Sequence, residues 1–112
     1  MKVTETSLPG VLVLEPRQFS DERGFFTELF VAARYPSLGV PERFAQDNFS
    51  RSKQGVLRGL HFQEPNAQGK LVQVLAGVVF DVAVDVRRGS PTFGRSVGVE
   101  IGEHTSELQS PA

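Results

Sequence analysis

Arg58-Gly59-Leu60-His61-Phe62-Gln63, with Gly69-Lys70 close behind, is the stretch whose residue types could do chemistry. It sets a single imidazole among apolar neighbours and brackets it with an arginine and a lysine. In a regular strand Arg58 and His61 would face opposite sides. Gly59 between them permits a bulge that turns both to one face. An imidazole titrates near pH ~6.5, so at neutrality it can take a proton from carbon. Fixed positive charges beside it would stabilise the oxyanion left behind. The expected setting is a ligand cavity holding the ring, with the cationic side chains facing in. A simpler account of one histidine is a strand position with a backbone partner.

Other chemistries fit less well. The two histidines, His61 and His104, have no paired spacing and no flanking ligand set, so no metal site is expected. There is no cysteine, which removes thiolate chemistry and disulfides. Neither Ser50 nor Ser52 sits in a Gly-x-Ser-x-Gly elbow, and no glycine-rich phosphate loop has the required context. What remains is a scatter of polar residues at strand ends: Arg23, Glu28, Gln46, Asp47, Asn48, Arg58 and Lys70. Singly, each reads as a solvated side chain or turn former. Together, Arg23, Arg58 and Lys70 could line a mouth that draws in an anion, arginine as a bidentate fork and lysine as a point charge. Phe19, Phe25 and Phe26 are expected mainly in the core, where one beside such a mouth could stack on a base.

The elements that would position these groups are short strands. Val11 to Leu14 is a first strand, stopped at Glu15-Pro16. Asp21 to Gly24 is a turn, and Phe25 to Phe30 a second strand. Val31 to Leu38 is the one helical piece, cut off by Pro36 and Gly39. Phe44 to Ser50 and Val56 to Gln63 read as further strands joined by a loop, followed by Leu71 to Leu75. The clearest alternation puts Phe80, Val82, Val84 and Val86 on one face, with Asp81, Ala83 and Asp85 on the other. Val97 to Ile101 closes the series. Many close-spaced strands with almost no helix indicate an antiparallel sandwich or barrel.

Size and charge bound the rest. A chain of 112 residues is one small domain. A net charge of −1 offers no global field for nucleic acid or an anionic membrane. The N-terminus lacks the apolar stretch of a secretion signal and no run reaches spanning length, so a cytoplasmic protein is expected.

Taken in order, these segments resemble the dTDP-4-dehydrorhamnose 3,5-epimerase family. The matching stretches are Leu12 to Pro16, Asp21 to Phe26 with Glu28, Gln46 to Asn48, Val56 to Gln63, Asn66 to Leu71, Phe80 to Asp85, and Ser90 to Gly94 with Val97 to Val99. They cover essentially residues 3 to 101. The resemblance implies an all-β, cupin-type antiparallel jelly-roll barrel, incomplete at its C-terminus, over residues 1–102. It implies a nucleotide-sugar epimerase that inverts C3 and C5 of dTDP-4-dehydro-6-deoxy-glucose by proton abstraction, without a cofactor, in a homodimer when full length. His61 matches the family's base and Lys70 the lysine near the enolate. Arg58 matches a substrate-contacting arginine, Gln46, Asp47 and Asn48 the strand that touches the substrate, and Arg23 and Glu28 contacts to the nucleotide.

The family's tyrosine proton donor, base-orienting aspartate and second histidine have no counterpart here. Tyr35 lies in the helical piece and does not match the donor. Asp81 and Asp85 are expected to face a neighbouring strand or solvent rather than His61. The chain is therefore expected to hold half of a two-sided acid–base site and to be nearly inactive alone. Alternatives are a related 3-epimerase, a 3,4-ketoisomerase, or a non-catalytic nucleotide-sugar-binding barrel.

Residues 103–112 stand apart as a non-native or disordered tail, with neither alternation nor a helical stripe. Glu103 to Ser110 is similar to the translation of a sequencing-library adapter. On that reading the underlying codons run GAG-CAC-ACG-TCT-GAA-CTC-CAG-TC. Sequencing the source DNA checks this, and any other codons exclude an adapter origin.

Overall fold

The computed structural model describes residues 1–40, 43–102 and the backbone of 107–110. Among the described residues eight short strands form three antiparallel sheets: β1 (Lys2–Glu5), β2 (Leu12–Glu15), β3 (Gln18–Asp21), β4 (Gly24–Thr27), β5 (Lys70–Val72), β6 (Val78–Val84), β7 (Ser96–Gly102) and β8 (Glu107–Ser110). The largest sheet runs β1-β2-β8-β5, and β3-β4 and β6-β7 are two-stranded ribbons.

The run Val11-Leu12-Val13-Leu14 has no polar alternation, and the structure shows why. Its residues face two apolar clusters on opposite sides of the large sheet. Val11 packs with Leu8 and Ile101, against which Val13, Val72, Ala83, Val97 and Val99 lie. Leu14 packs with Tyr35 and Val40, joined by Leu12, Leu38, Phe44 and Leu71. A strand covered on both faces needs apolar residues at every position. On one side the cover is the β6-β7 ribbon, and on the other the segment around Tyr35.

That segment is tighter than an α-helix. Tyr35–Leu38 is a single 3-10 turn, with Pro36 near its start and the Gly39 amide donating back to the Pro36 carbonyl at 3.1 Å. The Tyr35 ring is buried edge-on to Phe30, 4.8 Å between centroids. Its hydroxyl donates to the Leu29 carbonyl at 2.6 Å. Tyr35 is thus a core anchor.

Two expected elements are absent as strands. Phe44 to Ser50 and Val56 to Gln63 enter no ladder among the described residues, and the side chains from Ala45 to Gln68 are exposed. Their pattern suits a strand, but a strand also needs a neighbour to take its N–H and C=O groups. Conversely, 107–110, assigned to the tail, forms β8 between β2 and β5. The expectation of disorder is corrected there. Backbone groups of two flanking strands hold this segment, and ladder bonds require no alternating side-chain pattern.

The alternation of β6 is as read, with the more apolar row outward. Ala83 packs toward the core, while Val78, Phe80 and Val82 on the other face are 64%, 70% and 39% exposed. The Phe80 ring lies across β7 so closely that a Cβ on Gly98 would sit 2.3 Å from it.

The turn after β6 is organised around Asp85, which is 4% exposed. Its carboxylate accepts from Arg87 Nε at 3.1 Å, Ser90 Oγ at 2.6 Å and Thr92 Oγ1 at 2.5 Å. Arg87 also donates to the Pro9 carbonyl at 2.9 Å, tying the turn to the loop before β2. The Arg87 guanidinium, followed by the two hydroxyls, holds the Asp85 carboxyl far below the usual carboxylate range. An acid depressed on folding contributes stability that is full above its unfolded value of ~3.9 and fades as pH falls below it. Asp85→Asn is therefore expected to lower stability at pH 7 and to flatten its decline below pH 4. Urea denaturation at pH 7 and at pH 3 checks both arms.

Candidate functional site

The structure spreads the candidate polar residues over separate places. Arg23 sits in the two-residue turn between β3 and β4, where Asp21 pairs with Gly24. Its guanidinium folds back on Asp21, 2.6 Å from Nη2 to Oδ2, and its backbone amide donates to Oδ1 at 2.8 Å. Arg23 therefore holds the Asp21 carboxyl below its ordinary value, and Asp21 raises the guanidinium in return. Both are exposed, so the pair fixes turn geometry more than it adds stability. Around it, Phe19, Phe25 and Phe26 line a shallow open depression. They are 50%, 47% and 65% exposed, which corrects their expected place in the core. The two-stranded ribbon leaves about half or more of each ring exposed, with the Arg17 guanidinium 4.8 Å from the Phe19 centroid. Rings beside a guanidinium form a surface on which a planar heterocycle with an attached anion could rest.

Glu28 follows β4 and is engaged by the Arg34 guanidinium in an exposed ion pair. Gln46 donates from Nε2 to Asn48 Oδ1 at 3.0 Å, with Asp47 exposed between them.

Arg58 and His61 lie on the segment without a ladder. The expected glycine irregularity is present: Gly59 has φ +114°, a conformation that residues with a Cβ rarely adopt. It does not bring Arg58 to His61. Arg58 donates from Nε to Ser52 Oγ at 2.8 Å and approaches the Arg51 carbonyl, closing the 51–55 loop instead. His61 is exposed, and the expected cavity around the ring is not formed among the described residues. The reason is the one that removes the strands: without a neighbouring strand nothing walls off this side of the segment.

One relation the sequence did not reveal is between Lys70 and Asp81. Lys70 opens β5, and Asp81 sits half-buried on the core-facing row of β6. Burial pushes the Asp81 carboxyl up, and the Lys70 ammonium together with the Val82 amide pull it partly back. Since the two residues are eleven apart on different sheets, no local spacing rule would find them. Asp85 is fully engaged in its own turn and is unavailable to orient His61. Among the described residues no group of three or more His, Asp or Glu could hold a metal ion.

With this geometry in place, comparison with known proteins is decisive. The family model for dTDP-4-dehydrorhamnose 3,5-epimerase matches residues 5–109. The chain belongs to that family. A dTDP-4-dehydrorhamnose 3,5-epimerase from Shigella flexneri is 53% identical across 99% of this chain and 63% of its own length. One from Pseudomonas aeruginosa is 52% identical across the whole of this chain and 63% of its own. A crystal structure of the Legionella pneumophila 3,5-epimerase in complex with dTDP-4-keto-L-rhamnose superimposes with a TM-score of 0.92 at 54% identity, covering 98% of this chain and 60% of that one. The all-β, cupin-type fold is thereby borne out. The chain spans about three-fifths of the length of these relatives.

The Lys70–Asp81 relation yields a measurable consequence. Removing the ammonium by Lys70→Met should raise the Asp81 titration midpoint further, because burial then acts with less opposition. Carboxyl-carbon NMR titration of Asp81 in the two proteins checks the direction.

Proposed function

We propose that this chain carries one side of the active site of a dTDP-4-dehydrorhamnose 3,5-epimerase, an isomerase of dTDP-rhamnose biosynthesis. The supporting observation is the family match across residues 5–109, which takes in every candidate residue in order. The substrate is dTDP-4-dehydro-6-deoxy-glucose. Its keto group acidifies the hydrogens on C3 and C5, so a neutral imidazole can remove them and leave an enolate. Returning the proton from the opposite face inverts each centre. Electrons are neither gained nor lost, and the reaction as written consumes no redox cofactor.

His61 is the base. Lys70 supplies positive charge for the enolate oxygen, with Asp81 holding that charge near β6. Arg58, Gln46, Asp47 and Asn48 contact the sugar. Arg23 and Glu28 contact the nucleotide, with the exposed phenylalanines of the hairpin beside Arg23. The ligands bound in related structures suit this reading: the Legionella enzyme holds a dTDP-keto-sugar, and a Bacillus anthracis relative holds TDP and pyrophosphate. A relative from Streptomyces niveus that epimerises only C3 is 40% identical, lower than the 3,5-epimerases above. The protein at the relatives' length is read as a cytoplasmic homodimer; among the described residues no helix is long and apolar enough to cross a membrane.

In the described chain His61 stands in water. A fixed charge at a solvated site is screened and gives the reacting carbon little help. The 112-residue chain alone is therefore expected to show little or no uptake of deuterium at C3 or C5 from heavy water, read by NMR of the sugar. In a chain extended to the relatives' length, uptake is expected at both carbons. There His61→Asn should lower kcat by about 10²–10⁴ with dTDP-sugar affinity retained. Unchanged turnover in that variant would favour a binding protein over an enzyme.

A further inference from the structure

Gln73 stands just past the end of β5, and its side chain reaches a distant stretch of backbone. Nε2 donates to the Leu29 carbonyl at 2.9 Å, across a separation of 44 residues. The same oxygen accepts from the Tyr35 hydroxyl at 2.6 Å. A carbonyl oxygen has two lone pairs, so these two donors fill its capacity.

The two bonds act differently. Tyr35 belongs to the same stretch as Leu29, so its bond closes residues 29–35 on themselves. Gln73 reaches in from β5, so its bond sets where that stretch stands relative to the strand that opens with Lys70. The inner side of the stretch is already seated, because Leu71 of β5 packs against the Tyr35 cluster. Its rim is not: Leu29 is 42% exposed. Packing holds backbone weakly at so open a place, and a directional bond to a paired strand supplies the missing restraint. Glu28 precedes Leu29, and the Arg34 guanidinium engages its carboxylate from within the same stretch. Glu28, Leu29 and Arg34 are thus linked, and Gln73 ties them to β5.

We propose that Gln73 is a positioning residue for the nucleotide end of the site. Through the Leu29 carbonyl it holds Glu28 at a fixed place relative to β5 and Lys70. The proposal rests on the nucleotide role given to Glu28 above. A group ordered before its ligand arrives loses less freedom on binding, so the tie is expressed as affinity.

The test uses the whole 112-residue chain with dTDP as the probe. Gln73→Met keeps the length of the side chain and removes its donor, and Gln73→Lys restores a donor. In Gln73→Met, circular dichroism should be unchanged and the NMR order parameters of amides 28–30 should fall. Its Kd for dTDP should rise about two- to tenfold, the range of one net hydrogen bond. Gln73→Lys should bring both quantities back toward the parent values, which a role in packing alone does not predict. Unchanged order parameters, or losses equal in the Met and Lys variants, overturn the proposal. So does a dTDP affinity that Glu28→Gln weakens and Gln73→Met leaves alone. A parent chain that binds no dTDP, or binds it equally well as Glu28→Gln, counts against the nucleotide reading of Glu28. Loosened amides in Gln73→Met then still uphold the tie through Leu29.

Discussion

Burial of β2 on both faces is the constraint on which the rest of the structure depends. Leu14 is fully buried in one cluster and its neighbour Val13 lies against the other, so one four-residue strand joins the two halves of the core. The Tyr35 turn packs on one cluster and the β6-β7 ribbon on the other. The Asp85 turn adds a third tie, since Arg87 reaches from that ribbon to the loop ahead of β2. A core this small cannot also wall a cavity, and the candidate site shows the result.

The site residues divide according to how their segments are supported. Lys70 and Asp81 sit on paired strands and are fixed near each other, with burial and charge acting on the carboxyl in opposite senses. Arg23 is set by a hairpin turn and a carboxylate two residues away. Arg58 and His61, on a segment outside every sheet, take local partners or water. Support from a sheet, more than residue type, decides which side chains are positioned.

Composition and pattern were enough to read an all-β antiparallel protein with little helix, because period-2 alternation and turn residues act over a few positions. The run Val11 to Leu14 was also legible as a strand, though not its burial on both faces. Separated motifs in order, from Asp21–Phe26 through Val56–Gln63 to Phe80–Asp85, were enough to identify the family, since residue type and spacing survive in the primary chain.

Tertiary structure alone decided the rest. Whether Val56 to Gln63 becomes a strand depends on a partner elsewhere, so its pattern was right and its ladder absent. Residues 107–110 show the converse, a segment without alternation held by strands on both sides. That Phe80 faces water and Ala83 the core follows from which side of the ribbon the large sheet occupies, a matter of topology rather than of hydrophobicity. The influence of Lys70 on Asp81 has the same origin: burial of the carboxyl and the ammonium's field across sheets do not exist until the chain has folded.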